Sequence, residues 1–564
     1  MHWIQKQSLD SSRVVTLQDE LNVSETIAKL LVQRGIDSFD IAKNFFRPQL
    51  SALHDPFEMQ DMLVAVERVQ KAIKSQETVM IYGDYDVDGT TSVALVYSYL
   101  KNYLESLHPY IPDRYSEGYG ISFQGIDRAK KDGVSLIIAL DCGIKAIDKV
   151  AYANRLGIDF IICDHHLPSE KLPEAIAVLD PKRSDCLYPY KELCGCGIGF
   201  KLIQALTQTA QRPFESLLPY LDLVATAIAA DIVPITGENR ILMHFGIKQL
   251  QSAPRVGFQF FLKQLKKEVR VSDLVFIIAP RINAAGRMKH GLFAVQLLIA
   301  ETAADAMPLA RSIELYNTER KSTDERITAA ALEQLENNKE TDRFSTVVFD
   351  PEWHKGVVGI VASRLIEKYY RPTVVLTQSG EVLTGSVRSV VGFNVYEALE
   401  ACQEHMIQFG GHKYAAGLTL KKEDYKSFKA AFEEVVAQRI LPEQRVPAFY
   451  YDLEIDFKAV TEKLFRIINQ MGPFGPQNMQ PVFKTSQCLD SGGSRAVGKD
   501  QSHLRLEVED PSGIRFVGIA FGMAHHLTKI KSRVPFSILY TLDENEFNGR
   551  VSLQLKVKDF AFDQ

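Results

Sequence analysis

Val79-Met-Ile-Tyr-Gly-Asp-Tyr-Asp-Val-Asp-Gly-Thr-Thr91 places three carboxylates, Asp84, Asp86 and Asp88, at the end of a short apolar run. Thr78 to Tyr82 reads as a buried strand, and Thr90 or Thr91 followed by Ser-Val-Ala-Leu-Val-Tyr-Ser-Tyr-Leu100 reads as a capped helix. The aspartates therefore sit on a strand-to-helix turn, where ligands bind in open α/β sheets. Carboxylates spaced by one residue repel one another and share protons near neutral pH unless hard divalent cations neutralise them. A lone Asp-x-Asp would be a solvated acidic turn with an Asx cap. The other strand ends decide against that reading here.

From Thr78 onward, short apolar runs alternate with helical patterns: Val134 to Leu140, Ile158 to Cys163, then Ala175 to Leu179. This predicts a largely parallel, doubly wound sheet. The second run ends in Asp141-Cys-Gly and the third in Asp164-His165-His166. In a parallel sheet with helical crossovers the carboxyl ends lie on one edge, so these side chains converge. Asp180, followed by proline, reads as a turn residue. Asp231 lies in Leu-Val-Ala-Thr-Ala-Ile-Ala-Ala-Asp-Ile-Val-Pro, where a carboxylate is expected to be buried and must be paired or bound to a metal.

With 564 residues, the chain exceeds a single core and predicts about three or four units. Hydrophobic content of 46% and charged content of 24% describe a soluble globular protein, and a net charge of −5 neither advertises nor excludes a nucleic-acid partner. There is no run of ~18 uncharged apolar residues and no signal-peptide hydrophobic region after Met1, so a cytoplasmic location without membrane contact is expected. Seven cysteines form no C-x-x-C pair and read as buried small apolar residues. Cys194-Gly-Cys196 is flagged as a metal or redox pair.

Residues 1–75 read as a helical segment packed on the catalytic domain, with Met62, Val66, Val69 and Ile73 on one face. The catalytic domain is expected over 76–300. Residues 301–338, rich in Ala, Glu, Arg and Leu, predict a connecting helix with Pro308 near its start. A second α/β domain over 339–441 contains strands at Ser345 to Phe349 and Thr373 to Thr377, a helix at Gly356 to Tyr370, and a Gly-rich loop, Phe409 to Gly417. Residues 442–564 are mostly strand; Val551, Leu553, Leu555 and Val557 alternate with polar residues directly after Asn548-Gly549, predicting a hairpin in a small barrel of oligonucleotide-binding type.

Five carboxylates, Asp84, Asp86, Asp88, Asp141 and Asp231, gather with two imidazoles, His165 and His166. Two divalent ions would bring such a cluster close to neutral, and its oxygen-rich donors favour Mn²⁺ or Mg²⁺ over zinc. Two ions ~3.5 to 4 Å apart generate hydroxide from water and stabilise the leaving oxygen in displacement at phosphorus. Phosphate-ester hydrolysis is the predicted chemistry. One imidazole is read as a ligand and the other as a contact to the phosphate or leaving group, their order left open, with Asp164 as an orienting group.

Gly83-Asp-Tyr-Asp-Val-Asp-Gly89, Asp141-Cys-Gly, Asp164-His-His166 and Ala230-Asp231 resemble the ordered motifs of the DHH phosphoesterase superfamily. Pro280-Arg-Ile-Asn-Ala-Ala-Gly-Arg287, Trp353-His-Lys-Gly-Val-Val-Gly359, Ser386-Val-Arg388 and Gly410-Gly-His412 narrow the resemblance to the RecJ family of bacterial single-strand-specific 5′ to 3′ exonucleases. The resemblance implies a DHH catalytic domain, a connecting helix, a DHHA1 domain and an oligonucleotide-binding domain. It implies Asp84, Asp86, Asp88, Asp141, His165 and Asp231 as metal ligands, His166 near the phosphate, and Arg281 on the scissile phosphate. Arg114, Ser386 and Arg388 would grip a 5′-terminal phosphate, and His412 would contact the substrate. It further implies release of mononucleotides in DNA recombination and repair, partners such as a single-stranded-DNA-binding protein and a RecQ-type helicase, and a monomeric enzyme in the bacterial cytoplasm. The alternatives are a small-substrate phosphodiesterase or pyrophosphatase, which has little use for the barrel, and a non-catalytic nucleic-acid-binding scaffold, which has no need of a complete ligand set.

Overall fold

The computed structural model describes residues 2–6, 10–265, 268–547 and 549–562. The chain divides into two compact units, one of Met1–His2, Pro56–Asp231 and Gln249–Pro447, the other of Trp3–Asp55, Ile232–Lys248 and Ala448–Gln564. Three helices near the N-terminus, α1 (Ser11–Leu21), α2 (Glu25–Val32) and α3 (Phe39–Phe46), belong to the second unit.

The first unit begins with α4 (Met62–Lys74) and is built on five strands, β1 (Val79–Gly83), β2 (Leu107–Tyr110), β3 (Leu136–Leu140), β4 (Asp159–Cys163) and β5 (Ala177–Leu179). All pair in parallel, in the order β2-β1-β3-β4-β5. The crossovers α5 (Val87–Leu100), α6 (Phe123–Lys131) and α7 (Ile147–Arg155) are followed by α8 (Gly195–Thr209) and α9 (Leu221–Ala230). Both faces are covered, which is why β1 and β3 are apolar throughout instead of alternating. Met80, Tyr82, Ile137, Ala139, Phe160 and Ile162 pack with Ile126 and Ala129 of α6 and Val150 and Ala153 of α7. On the other face, Gly199 brings α8 into contact distance of Leu140 and Val96. The edge strand β2 was not expected from its sequence; it contains Pro109, which an edge position tolerates. After β1 the chain passes to one side and then returns to β3 on the other, so the direction of winding reverses between β1 and β3. Ligand crevices open at such a point.

After α10 (Ala279–Met288), α11 (Ala303–Asn337) runs for 35 residues with Pro308 in its second turn and Thr302 capping Asp305 N–H. Its buried positions, Ala306, Ala310, Ile313, Asn317, Arg320, Asp324, Ile327, Ala331 and Leu335, recur every three or four residues as one stripe. The sheet that follows contains β6 (Thr346–Phe349), β7 (Thr373–Ser379), β8 (Val382–Arg388), β9 (Gln408–His412) and β10 (Ala415–Lys421), in the order β9-β10-β8-β7-β6. The helix α12 (Val358–Lys368) joins β6 to its parallel neighbour β7. The expected Gly-rich loop is instead the hairpin β9–β10, with His412 opposite Ala415. Gly411, at φ +148°, lies so close to the partner strand that a Cβ would approach Ala416 Cα to 2.5 Å.

In the second unit, β11 (Leu453–Glu454), β12 (Phe483–Asp490), β13 (Arg495–Val497), β14 (His503–Glu509), β15 (Arg515–Ala520), β16 (Phe536–Phe547) and β17 (Arg550–Phe562) form one sheet, ordered β11-β12-β16-β17-β15-β14-β13. A further β12–β14 pairing curls it into a barrel. The long β16–β17 hairpin follows the expected alternation; Asn548 at its turn lies outside the described residues.

The N-terminal segment departs from expectation. α4 packs against the catalytic layer, whereas Leu17, Ile27, Leu30, Leu31 and Ala42 share a core with Phe483, Leu504, Tyr540 and Leu555 of the barrel. An apolar helix face announces that it will be buried without specifying its partner. The catalytic span 76–300 is likewise interrupted: Arg240 donates to the carbonyls of Phe45, Met471 and Gly472, tying its helix into the second unit. Among the described residues no helix is long and apolar enough to cross a membrane.

Candidate active site

The turns after β1, β3 and β4 bring their acids together at the point where the winding reverses. Asp86 caps α5 by accepting Gly89 N–H at 3.1 Å, which aligns the turn so that Asp84 and Asp88 point inward. Asp88 is buried at the N-terminus of α8 and accepts Gly195 N–H at 2.6 Å and Cys196 N–H at 2.7 Å. Asp141 holds φ +60°, and α8 approaches it so closely that a Cβ on Gly195 would lie 2.6 Å from the Asp141 Cβ. Asp231 follows α9; its side chain is 27% exposed, half-buried toward the crevice instead of enclosed as its apolar surroundings had implied.

His165 is the hub. Its Nε2 lies 3.2 Å from Asp141 Oδ1, 3.6 Å from Asp231 Oδ2 and 3.9 Å from Asp88 Oδ2. Neither ring nitrogen makes a hydrogen bond, and Asp84 Oδ2 is also buried without a partner. Such groups are costly unless a ligand satisfies them. Two sets, Asp141 with His165 and His166, and Asp88 with His165 and Asp231, have donor atoms within 4.8 Å of one another, the spacing of a cation's ligand shell.

Charge gives the same answer. Burial and then Asp86 push Asp84 up to about 8 and Asp88 to about 7; burial, Asp88 and Asp86 push Asp231 to about 8. Asp141 also rises, through burial and then Asp88. Burial and His166 press His165 down to about 3. Without a cation, this cluster would hold protons at neutral pH. Asp164 is the exception: burial would raise it, but His166 and the Ile144 amide hold it at about 2. Its Oδ1 takes His166 Nδ1–H at 2.7 Å and its Oδ2 takes Ile144 N–H at 2.9 Å, so it orients His166. Burial opposes a charge on His166, yet Asp164 and the neighbouring carboxylates outweigh it and raise the imidazole to about 9.

Across the turn stands the opposite charge. The Arg114 guanidinium lies 3.8 Å from the centroid of the Tyr85 ring, and its Nε is buried without a hydrogen bond. Arg388 donates to Ser386 Oγ at 2.9 Å, both at the end of β8, and Gly359 in the first turn of α12 leaves them room. Burial, then Arg114, Arg388 and Arg320, press Arg287 down to about 10. Burial and Arg114 likewise lower Lys355. Burial, then Arg388 and His166, lower His412.

Arg281 holds Glu314 through its Nε and Nη2 at 2.7 and 3.1 Å and donates its Nη1 to Ile277 O, bridging α10 and α11. Arg287, under two turns later in the same motif, donates its Nη1 to Gly356 O at 3.0 Å. Cys194 accepts Gly197 N–H at the head of α8, burial raises both Cys194 and Cys196, and neither enters a metal-ligand group among the described residues. Asp180 makes the expected turn, accepting Lys182 N–H at 2.7 Å.

A parallel sheet whose strand ends gather aspartates and histidines for divalent cations defines a DHH-type phosphoesterase; the family model for the DHH family N-terminal domain matches residues 78–228. Models for the DHHA1 domain and the RecJ OB domain match 342–438 and 451–559. The single-stranded-DNA-specific exonuclease RecJ of Bacillus subtilis is 36% identical over all of this chain and 71% of that protein; its counterpart in Salmonella typhimurium is 34% identical over 88% and 89%. The chain belongs to the RecJ family of single-stranded-DNA-specific exonucleases. Among solved structures, RecJ from Thermus thermophilus in complex with Mn²⁺ matches with a TM-score of 0.86 at 25% identity, covering 100% of this chain and 80% of that one. An exonuclease RecJ bound to manganese matches with a TM-score of 0.62 at 30% identity, covering 71% and 99%.

Proposed function

We propose that this protein is a metal-dependent exonuclease that shortens single-stranded DNA from its 5′ end, releasing mononucleotides. The observation that carries this reading is His165, both nitrogens unbonded, with Nε2 within 3.9 Å of carboxylates from three separate segments. Asp84, Asp86, Asp88, Asp141, His165 and Asp231 would hold two divalent ions, Mn²⁺ or Mg²⁺. When bound, such ions lower the pKa of water and neutralise charge at the phosphorus. His166, fixed by Asp164, presents its Nε2 proton toward the substrate oxygens. Arg114, Ser386 and Arg388, with Arg287 and His412 beside them, bind the terminal phosphate; guanidinium forks match phosphate oxygens. A pocket for a phosphorylated end at a fixed distance from the acids makes an exonuclease of a phosphoesterase. The work divides between the catalytic span 76–300 and the substrate-binding span 339–441, with the 442–564 barrel tracking the strand. We place the enzyme in the bacterial cytoplasm, as a monomer acting with a single-stranded-DNA-binding protein and a RecQ-type helicase in recombination and repair.

The test is a time course on a 3′-labelled, 5′-phosphorylated single strand with Mn²⁺, Mg²⁺ or chelator, beside a blunt duplex. A metal-dependent ladder shortening from the 5′ end, absent from the duplex, is expected. Cleavage confined to di- to pentanucleotides or pyrophosphate would transfer the site to small substrates, and binding without cleavage would leave a scaffold.

A further inference from the structure

Glu117 touches neither charge cluster, yet the loop that carries Arg114 is bonded to it. Its Oε1 accepts Asp113 N–H at 2.9 Å, and its Oε2 accepts the Tyr110 hydroxyl at 2.9 Å and the Ser122 hydroxyl at 2.5 Å. These donors come from the end of β2, the first residue of the loop and the N-cap of α6. Glu117 N–H returns to Asp113 O at 2.9 Å, and Asp113 Oδ1 takes the amides of Tyr115 and Ser116. The far end is fixed by Tyr82, whose hydroxyl donates to Gly120 O and accepts Ser122 N–H. The loop is thereby a closed strap whose centre is one carboxylate. Only an acceptor-only group with two oxygens can take three such donors; an amide would set its own N–H₂ against one of them.

Two side chains on this strap reach the reacting region. Arg114 lies over the Tyr85 ring, between Asp84 and Asp86, and Tyr119, 58% exposed, brings its hydroxyl to 3.4 Å from His166 Nε2. Neither is anchored by an ion pair of its own among the described contacts, so the strap sets where they stand. We propose that Glu117 is a positioning residue for recognition of the DNA 5′ end: it latches residues 113–122 so that Arg114 and Tyr119 are in place before the strand arrives. The inference rests on the reading of Arg114, Ser386 and Arg388 as the terminal-phosphate pocket. Preorganisation of this kind lowers the ordering cost of binding and leaves the chemical step alone.

The experiment compares the full chain with its Glu117→Ala and Glu117→Gln variants. KM and kcat are measured with Mn²⁺ on 5′-phosphorylated and 5′-hydroxyl single strands, alongside hydrogen–deuterium exchange of peptides covering 113–122. Glu117→Ala is expected to raise KM for the phosphorylated strand about tenfold, the scale of one lost charge-assisted contact, with kcat within about threefold. The hydroxyl strand should be unaffected, Glu117→Gln should fall between, exchange should accelerate in 113–122 but not in β3 or β4, and adding Glu117→Ala to Arg114→Ala should do little more. Unaltered exchange overturns the latch. Faster exchange with an intact preference for phosphorylated ends, or an equal kcat loss on both strands, overturns its role in end recognition. An Arg114→Ala variant that keeps the wild-type preference overturns the terminal-phosphate reading instead, and the exchange arm still decides the latch.

Discussion

The first unit contains two clusters of like charge, and they relieve their repulsion differently. At the sheet edge, Asp84, Asp88, Asp141 and Asp231 are all raised, and protons can neutralise them until a cation does. At Arg287, burial and the guanidiniums of Arg114 and Arg388 oppose its charge, and an anion would relieve that repulsion. The acidic cluster is therefore sensitive to pH and metal. On the reading proposed above, the basic cluster would answer to the phosphate at the end of the substrate.

The largest break in that comparison should come from Asp141→Ala: loss of hydrolysis on the order of a thousandfold, ~4 kcal/mol in the barrier, with Mn²⁺ binding by calorimetry weakened in parallel. Unchanged hydrolysis would dissolve the metal-centre assignment. Next, Asp164→Asn, which removes the negative charge beside His166 Nδ1, should cost about 10–100-fold in kcat, the range of outer-shell partners at metal sites. On the basic side, Arg388→Ala or Arg287→Ala should cost about 10-fold or more in kcat/KM on 5′-phosphorylated strands and little on 5′-hydroxyl strands. Equal losses on both would move the residue from the terminal phosphate to the scissile one.

The pH response sharpens the contrast. Asp84 and Asp231, raised to about 8 in the folded chain, bind more protons there than when unfolded. Their contribution to stability is full below the unfolded carboxylate value of about 4 and is lost as pH rises through about 8. In chelator, melting temperature should fall from pH 6 to pH 8.5, and the increment restored by Mn²⁺ should grow over the same interval. A flat profile would mean the acids are already neutralised within the chain. The smallest expected effect is Arg281→Lys: a stability loss of roughly 1 kcal/mol from the fork to Glu314, read by denaturant melts, with end preference intact. A loss of hydrolysis comparable to Arg287→Ala would return Arg281 to the phosphate.

The alternation of apolar runs with helical patterns, and the acids at their ends, were legible because a parallel sheet necessarily places successive carboxyl ends on one edge. Asp84, Asp88, Asp141 and His165 could be gathered from the sequence for that reason, and Asp231, which follows a helix, because an acid in an apolar run needs a partner. The stripe of α11 and the β16–β17 alternation were legible through simple periodicity. Glu117 was not, because its three donors lie on separate elements and a half-buried glutamate in a polar loop carries no periodic signal. Nor was the ion pair of Arg281 with Glu314, 33 residues away and on a different helix.

By itself the sequence determined the doubly wound class, the acidic metal-seeking edge and the strand-rich second unit, since each follows from local spacing and strand polarity. Only the tertiary structure decided that α1–α3 enter the barrel core, that 409–417 forms a hairpin, and that Arg287 feels the charges of Arg114 and Arg388. Those outcomes depend on which surfaces bury one another across long separations, and an apolar face or a guanidinium carries the need for a partner without its address.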